Sequence, residues 1–181
     1  MIVKIRVLQI HNFFDFRHPI LTGFSWLIRK VTNSKWNHNA IEIEVNKPYL
    51  LRNKGLLAPG KYIIESVGKG VIYTPQKQWI AKGGRIILPL EFPSAQVNLE
   101  TIEDMIGQPY GFLDILKIAK YIAETKWIGL KREWRKVAFK MKGYICTEVV
   151  AELLGLNTDK LWLPGDFVNL PNVVIGQEFT T

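Results

Sequence analysis

Cys146 is the only cysteine of the chain, and its type and position could support nucleophilic chemistry. An apolar, helix-forming run follows it, and Gly155 stands where that helix should end. Cys146 is therefore predicted to be the first residue of a helix. The positive end of a helix dipole and its unpaired N–H groups favour a thiolate there. A thiolate is a nucleophile, and its use in catalysis would also require a base and an orienting group.

His38 is the histidine best placed to be that base. The two others, His11 and His18, flank an aromatic stretch with no regular element to fix them, whereas His38 begins an alternating strand. Two-residue periodicity puts His38 and Ala40 on one face of that strand, away from the apolar Ile41. Because Ala40 is small, we expect the start of the cysteine helix to approach beside it.

A third polar group is needed to orient the imidazole, and two glutamates compete for this role. Glu65 lies near the end of the next predicted strand, where its carboxylate could accept from the ring nitrogen that does not face the thiol. Glu42 shares a strand and a face with His38 but lies farther along the strand and would have to reach back. Glu65 is the better candidate.

The elements that must position these residues follow from periodicity and turn signals. Strands are predicted at 2–10, 39–45, 61–67, 71–74 and 85–92, where Pro89 indicates an edge or a bulge, with a last short strand near 172–175. Helices are predicted from Ile20 to about Val31, from an Asn98 cap to Gly107, over 112–124, onward from Trp127 through Met141, and after Cys146. Strands come first and helices later, which predicts one α+β domain over 1–181 with an antiparallel sheet packed against helices.

The arrangement of these residues resembles a known family. A histidine on a strand, an acidic residue on the next strand and a cysteine opening a helix look like the circularly permuted NlpC/P60 proteins, the YiiX/YaeF-like branch of the papain-like folds. The matching stretches, which together span the chain from about Phe24 to Phe167, are Ser34–Ile41, Tyr62–Ser66, Gly107–Phe112, Tyr144–Val150 and Leu163–Phe167.

The resemblance implies a papain-like domain with a Cys146–His38–Glu65 triad. It implies a thiol-dependent hydrolase or acyltransferase that acts on an amide bond, as in a cell-wall peptide, or on an ester. Its pattern is broken by the extra Ile145 before the cysteine, by Thr147 where serine is common and by Gly111 where aspartate is common.

In this interpretation His38 takes the thiol proton, Glu65 orients the imidazole, and an acyl-enzyme forms on Cys146. The backbone N–H of Cys146 would be one oxyanion donor, since it lies at a helix N-terminus. Tyr110, Tyr144 and Trp36 are candidates for the walls of a substrate pocket. The chemistry needs no cofactor.

Composition limits the other function classes. One cysteine and three scattered histidines give no metal-ligand spacing, and Gly68-Lys69-Gly70 lacks the third glycine and the helix of a nucleotide-binding loop. The start of the chain does not resemble a signal peptide, and no apolar run is long enough to span a bilayer, which predicts a cytoplasmic protein. Packaging in a virion or release by lysis would be compatible with the same sequence.

The net charge of +8 is concentrated in one segment. Seven lysines and arginines lie between Lys126 and Lys142 against the single Glu133, which accounts for most of the total. The simplest interpretation is the solvated face of an amphipathic helix. The alternative is a dock for an anionic surface formed by Lys131, Arg132, Arg135 and Lys136, without any specific nucleic-acid motif.

Two alternatives to the peptidase-like enzyme stay open. The chain could be a non-enzymatic binding or structural protein that keeps the fold, for example in a virion. It could also be a membrane-associated lipid acyl hydrolase or transferase with the same triad.

Overall fold

A computed structural model describes residues 1–12, 19–52, 55–111, 144–158 and 161–181. The predicted helix over 112–124, its continuation through Met141 and the basic segment from Lys126 to Lys142 lie outside the described residues. The architecture of the described part is α+β, with a mostly antiparallel sheet and few helices, as the sequence predicts.

The strands are β1 (Ile2–Asn12), β2 (His38–Val45), β3 (Tyr49–Leu51), β4 (Gly55–Leu57), β5 (Gly60–Val67), β6 (Gly70–Pro75), β7 (Arg85–Asn98), β8 (Val174–Ile175) and β9 (Phe179–Thr180). The helices are α1 (Pro19–Thr32), α2 (Gln76–Ala81), α3 (Leu99–Met105) and α4 (Cys146–Leu153), with a 3-10 turn at Phe167–Asn169.

The main sheet has the order β6-β5-β2-β1-β7-β8, and β9 also pairs with β7. Each pairing is antiparallel. The two central strands, β1 and β2, are buried along most of their length, so the sheet centre has apolar side chains on both faces. One face is covered by α3, α4 and the β3–β4 hairpin, and the other contributes a smaller cluster around Trp79 of α2.

Local sequence signals account for most element ends. Asn98 caps α3 by accepting a hydrogen bond from the Glu100 N–H, and Gly107 follows that helix with a positive φ of 86°. Gly155 ends the α4 region in the same way, with φ of 65°. Both glycine stops agree with the sequence prediction.

Pro89 occupies an edge-like position within β7. Its neighbours pair with β8 at Leu90 and with β9 at Ile87, so the missing N–H falls in the gap between two short edge strands. The register shift against β1 occurs elsewhere, between Lys4 and Arg6. β7 is nevertheless an interior strand, flanked by β1 on one side and by β8 and β9 on the other, so Pro89 marks neither an edge strand nor a bulge.

The turn between β5 and β6 brings the chain into contact with the segment that leads to Tyr110. Gly70 has a positive φ of 99°, and a Cβ at this position would collide with the backbone carbonyl of Gln108. The same carbonyl accepts the N–H of Val71 at 2.9 Å, and Gly107 N–H donates to the Val71 carbonyl at 2.8 Å. A glycine is required here because two backbones meet without room for a side chain.

We predict that Gly70→Ala lowers the free energy of unfolding by about 2–4 kcal/mol, through the left-handed backbone and the collision with Gln108. Gly68→Ala, in the same turn, is the matched control, because a Cβ at Gly68 meets nothing within 4 Å. Urea unfolding of both variants measures the difference. Equal losses would contradict this account of Gly70.

Candidate functional site

His38 is held at the end of the sheet by the pairing of β1 with β2. It is the first residue of β2 and lies opposite Ile10, near the end of β1. Its face also carries Ala40, which packs with Ile10 and Trp79, whereas Ile41 faces the larger core. The predicted division of β2 into two faces is confirmed.

Glu65 reaches His38 from the neighbouring strand. Ile41 pairs with Ile64, which places Glu65 opposite Ala40, one step from His38 and on the same face. Its Oε2 lies 3.1 Å from His38 Nε2. Exposed fractions of 13% for the His38 side chain and 6% for that of Glu65 leave this contact little screened by water.

Glu42, the rival carboxylate, has other partners. It lies 3.2 Å from Arg6 and 4.0 Å from Lys61, and it accepts a hydrogen bond from Gln76. These partners belong to β1, β5 and α2. Of the two glutamates, Glu65 is therefore the one that the structure brings to His38.

Cys146 is the first residue of α4, as the sequence predicts. The preceding residues are fixed by backbone contacts: Tyr144 N–H donates to Pro109 O at 2.9 Å, and the Tyr144 carbonyl accepts from Ser66 Oγ at 2.6 Å and from Gly111 N–H at 3.3 Å. These contacts tie the start of α4 to β5, the strand that carries Glu65.

The approach of α4 differs from the expectation based on Ala40. Val149, Val150 and Ala151 pack in the core cluster on the Ile41 side of the sheet, whereas the Ala40 side is covered by Trp79. The body of the helix therefore packs on the face opposite Ala40, whereas its first residue, Cys146, lies beside His38. The thiol meets the imidazole at the end of the sheet, because His38 is the first residue of β2.

The imidazole lies between both other members of the predicted triad. Its Nε2 faces Glu65, and Cys146 lies close enough for its charge to act on the imidazole. Since Nε2 is engaged by the carboxylate, Nδ1 is the nitrogen left for the thiol. Burial alone would lower the pKa of His38, but the charges of Cys146 and Glu65 and the hydrogen bond with Glu65 raise it to about 10.

Two groups around Glu65 were missed from the sequence. Trp79 donates its indole N–H to Glu65 Oε1 at 3.0 Å, and the guanidinium of Arg85 lies 4.4 Å from the centre of the Trp79 ring. Burial would raise the pKa of Glu65, but His38, Arg85 and Trp79 together hold it below its usual value. The short helix α2 carries Trp79, and only the Pro75 before it marks that helix in the sequence.

The three predicted pocket residues lie in different environments. Burial and the charge of Cys146 raise the pKa of Tyr110, which places its hydroxyl near the thiol. Burial and a hydrogen bond with Glu152 raise the pKa of Tyr144 to about 12, so its hydroxyl lies along the flank of α4. Trp36 is buried, 8% exposed, and stacks against Lys35. A substrate-binding role for each residue stays a prediction.

The loop that follows α4 closes over the same end of the sheet. The Pro164 carbonyl accepts from the amides of Gln9 at 2.6 Å and Asn39 at 3.4 Å, two residues paired across β1 and β2. Asp166 accepts the N–H of Leu163 at 3.0 Å and closes the turn. The proline–aspartate segment therefore lies next to the strand position that precedes Ala40.

An open groove of about 550 Å³ lies at the other end of α4, lined among others by Phe92, Val97, Leu153 and Leu170. It is remote from Cys146. No group of three or more His, Cys, Asp or Glu side chains that could hold a metal occurs among the residues described. Within those same ranges, no helix has the length and apolarity needed to cross a bilayer.

Comparison with protein-family models and with curated proteins gives no match for this chain.

We predict that the stability of the protein depends on His38 at alkaline pH. The folded protein holds the imidazole proton more tightly than the unfolded chain, so this stabilisation is complete below about pH 6.5 and is lost as the pH rises toward 10. His38→Gln should flatten the decline in the free energy of unfolding between these values, as measured by urea unfolding.

His11→Gln is the control. Burial and the neighbouring Arg29 lower the pKa of His11, so its contribution changes below pH 6.5 rather than above it. An alkaline slope that is the same in His38→Gln and in the wild type would contradict the proposed charge state of His38.

Proposed function

We propose that this protein is a thiol-dependent hydrolase or acyltransferase of the papain-like type, with Cys146 as nucleophile. The proposal rests above all on one observation: a largely buried imidazole lies beside a cysteine that begins a helix and contacts a buried carboxylate through Nε2. This is the arrangement that nucleophilic cysteine catalysis requires.

In the proposed reaction His38 holds the proton of the thiol, and the thiolate of Cys146 attacks the carbonyl carbon of an amide or ester. The C–N or C–O bond then breaks, and His38 gives its proton to the leaving group. A water or another acceptor attacks the thioester and restores the thiol. Glu65 keeps the imidazole oriented through Nε2.

The tetrahedral oxyanion needs donors that are in place before the reaction. The backbone N–H of Cys146 at the start of α4 is one such group. Tyr110 supports the site differently: its raised pKa keeps the phenol protonated next to the thiolate, so it is available as a donor or as part of the pocket wall.

The substrate class follows from the resemblance rather than from the site. The family resemblance favours an amide, as in cell-wall or other peptides, and a lipid acyl ester is the related alternative. Basic residues of the segment 126–142 would suit an anionic surface in either case.

A second candidate function is a binding or structural protein that retains this fold. The observation that favours it is burial: Cys146 is only 6% exposed in the described structure. A buried thiol can act simply as a small apolar side chain.

We predict that Cys146 reacts with iodoacetamide at pH 7 at least about tenfold faster than a free thiol, because the imidazolium stabilises the thiolate. His38→Ala should slow this reaction by about 10²-fold. His11→Ala is the matched control, since its imidazole contacts Arg29 instead. Equal rates in the wild type and in His38→Ala would support the structural role of Cys146.

We further predict that incubation with cell lysate leaves an acyl group on Cys146, detected by intact-protein mass spectrometry after acid quenching. The mass of the adduct distinguishes a peptidyl group from a fatty acyl group. His38→Ala should accumulate no adduct. Absence of any adduct from peptide and lipid fractions, in a protein whose thiol is reactive, would argue against acyl transfer.

A further inference from the structure

The geometry points to an outer layer of the site, formed by Trp79 and Arg85, that fixes Glu65 in the orientation and ionised form in which it accepts from His38. Both are positioning residues, since neither contacts the thiol. This inference rests on the proposed role of Glu65 in the triad, but its test is made on the carboxylate itself.

Each oxygen of the carboxylate has its own partner. Oε2 lies 3.1 Å from His38 Nε2, and Oε1 accepts the indole N–H of Trp79 at 3.0 Å. With both oxygens bound, the carboxylate plane cannot rotate without breaking one of the two contacts. The plane of Glu65 therefore determines how His38 presents its other nitrogen to Cys146.

Trp79 is itself held in place by Arg85. The guanidinium lies over the indole ring at 4.4 Å and donates to the Trp79 carbonyl at 3.0 Å. These contacts join α2 to the start of β7. A cation over the aromatic face holds the ring while leaving its N–H free to point at Glu65.

Arg85 has a second effect, because its positive charge stabilises the ionised form of Glu65. A carboxylate that is only 6% exposed is disfavoured in its ionised form unless cations and donors compensate for lost water. Two strands and a helix supply them: His38 from β2, Arg85 from β7 and Trp79 from α2, around Glu65 of β5. Cys146 faces the histidine from the other side, and Tyr110 lies near Cys146.

Trp79 could instead serve only as an apolar core residue, since it is 1% exposed and packs with Ile10, Ala40 and Ile63. The two roles differ in what the indole N–H does. Trp79→Phe keeps an aromatic ring and removes the donor, so only the positioning role predicts a change in the titration of Glu65.

The experiment is a ¹³C NMR pH titration of the Glu65 carboxyl in the wild type, in Trp79→Phe and in Arg85→Gln. We expect the midpoint to rise by about one pH unit in each variant, because a donor or a cation that stabilises the carboxylate is lost. Trp162→Phe is the matched control: its indole N–H also donates from a buried position, but to the Asn157 carbonyl, and the Glu65 midpoint should not move.

Thiol reactivity provides a second readout. The iodoacetamide rate at pH 5, relative to that at pH 8, should fall severalfold in Trp79→Phe and Arg85→Gln and stay unchanged in Trp162→Phe. Arg85→Gln keeps the test valid if Trp79→Phe does not fold, since Arg85 is partly exposed.

An unchanged Glu65 midpoint in folded Trp79→Phe and Arg85→Gln would overturn the inference. The outcome is separable from the proposed enzymatic function. A shifted midpoint in a protein that forms no acyl adduct would support the outer layer and reject the activity. An unshifted midpoint in a protein that does form the adduct would reject the outer layer alone.

Discussion

The contact between His38 and Glu65 is the interaction on which the site depends. Two groups that prefer water are held together at the end of the sheet, almost out of solvent. Their mutual attraction, together with Trp79 and the charge of Arg85, opposes the unfavourable effect of that burial. Removing either partner would leave the other without its compensating charge, so the strand pairing that brings them together is also what makes their burial tolerable.

Folding brings the third member to this pair from far along the chain. Cys146 lies more than one hundred residues after His38, and the contact depends on the core that α4 forms with β2 and β5. Ser66 Oγ donates to the Tyr144 carbonyl and the Pro109 carbonyl accepts the Tyr144 N–H, and these two bonds set the position at which the helix begins. The position of the thiol is therefore fixed by the packing of α4 against the sheet and by the backbone contacts of Tyr144, which precedes the helix.

Local rules were sufficient to predict much of this arrangement. Alternation located β2 and β5, the glycine stops marked the ends of α3 and α4, and residue type selected the three groups that come together. The side of the sheet on which α4 packs could not be predicted, because Ala40 and Ile41 offer the helix two apolar faces and only the long-range packing chooses between them. Trp79 was missed for a related reason: six residues are too few to show helical periodicity.

Glu65 and Ser66 are consecutive residues of β5, and their side chains serve opposite faces of the sheet. One holds the imidazole, and the other holds the backbone that leads into Cys146. A slip of one residue in the pairing of β5 with β2 would exchange the two faces, removing the carboxylate from His38 and the hydroxyl from Tyr144 at once. The register of β5 on β2 therefore determines both contacts together. A chain with a one-residue register error would lack the contact of Glu65 with His38 and that of Ser66 with Tyr144.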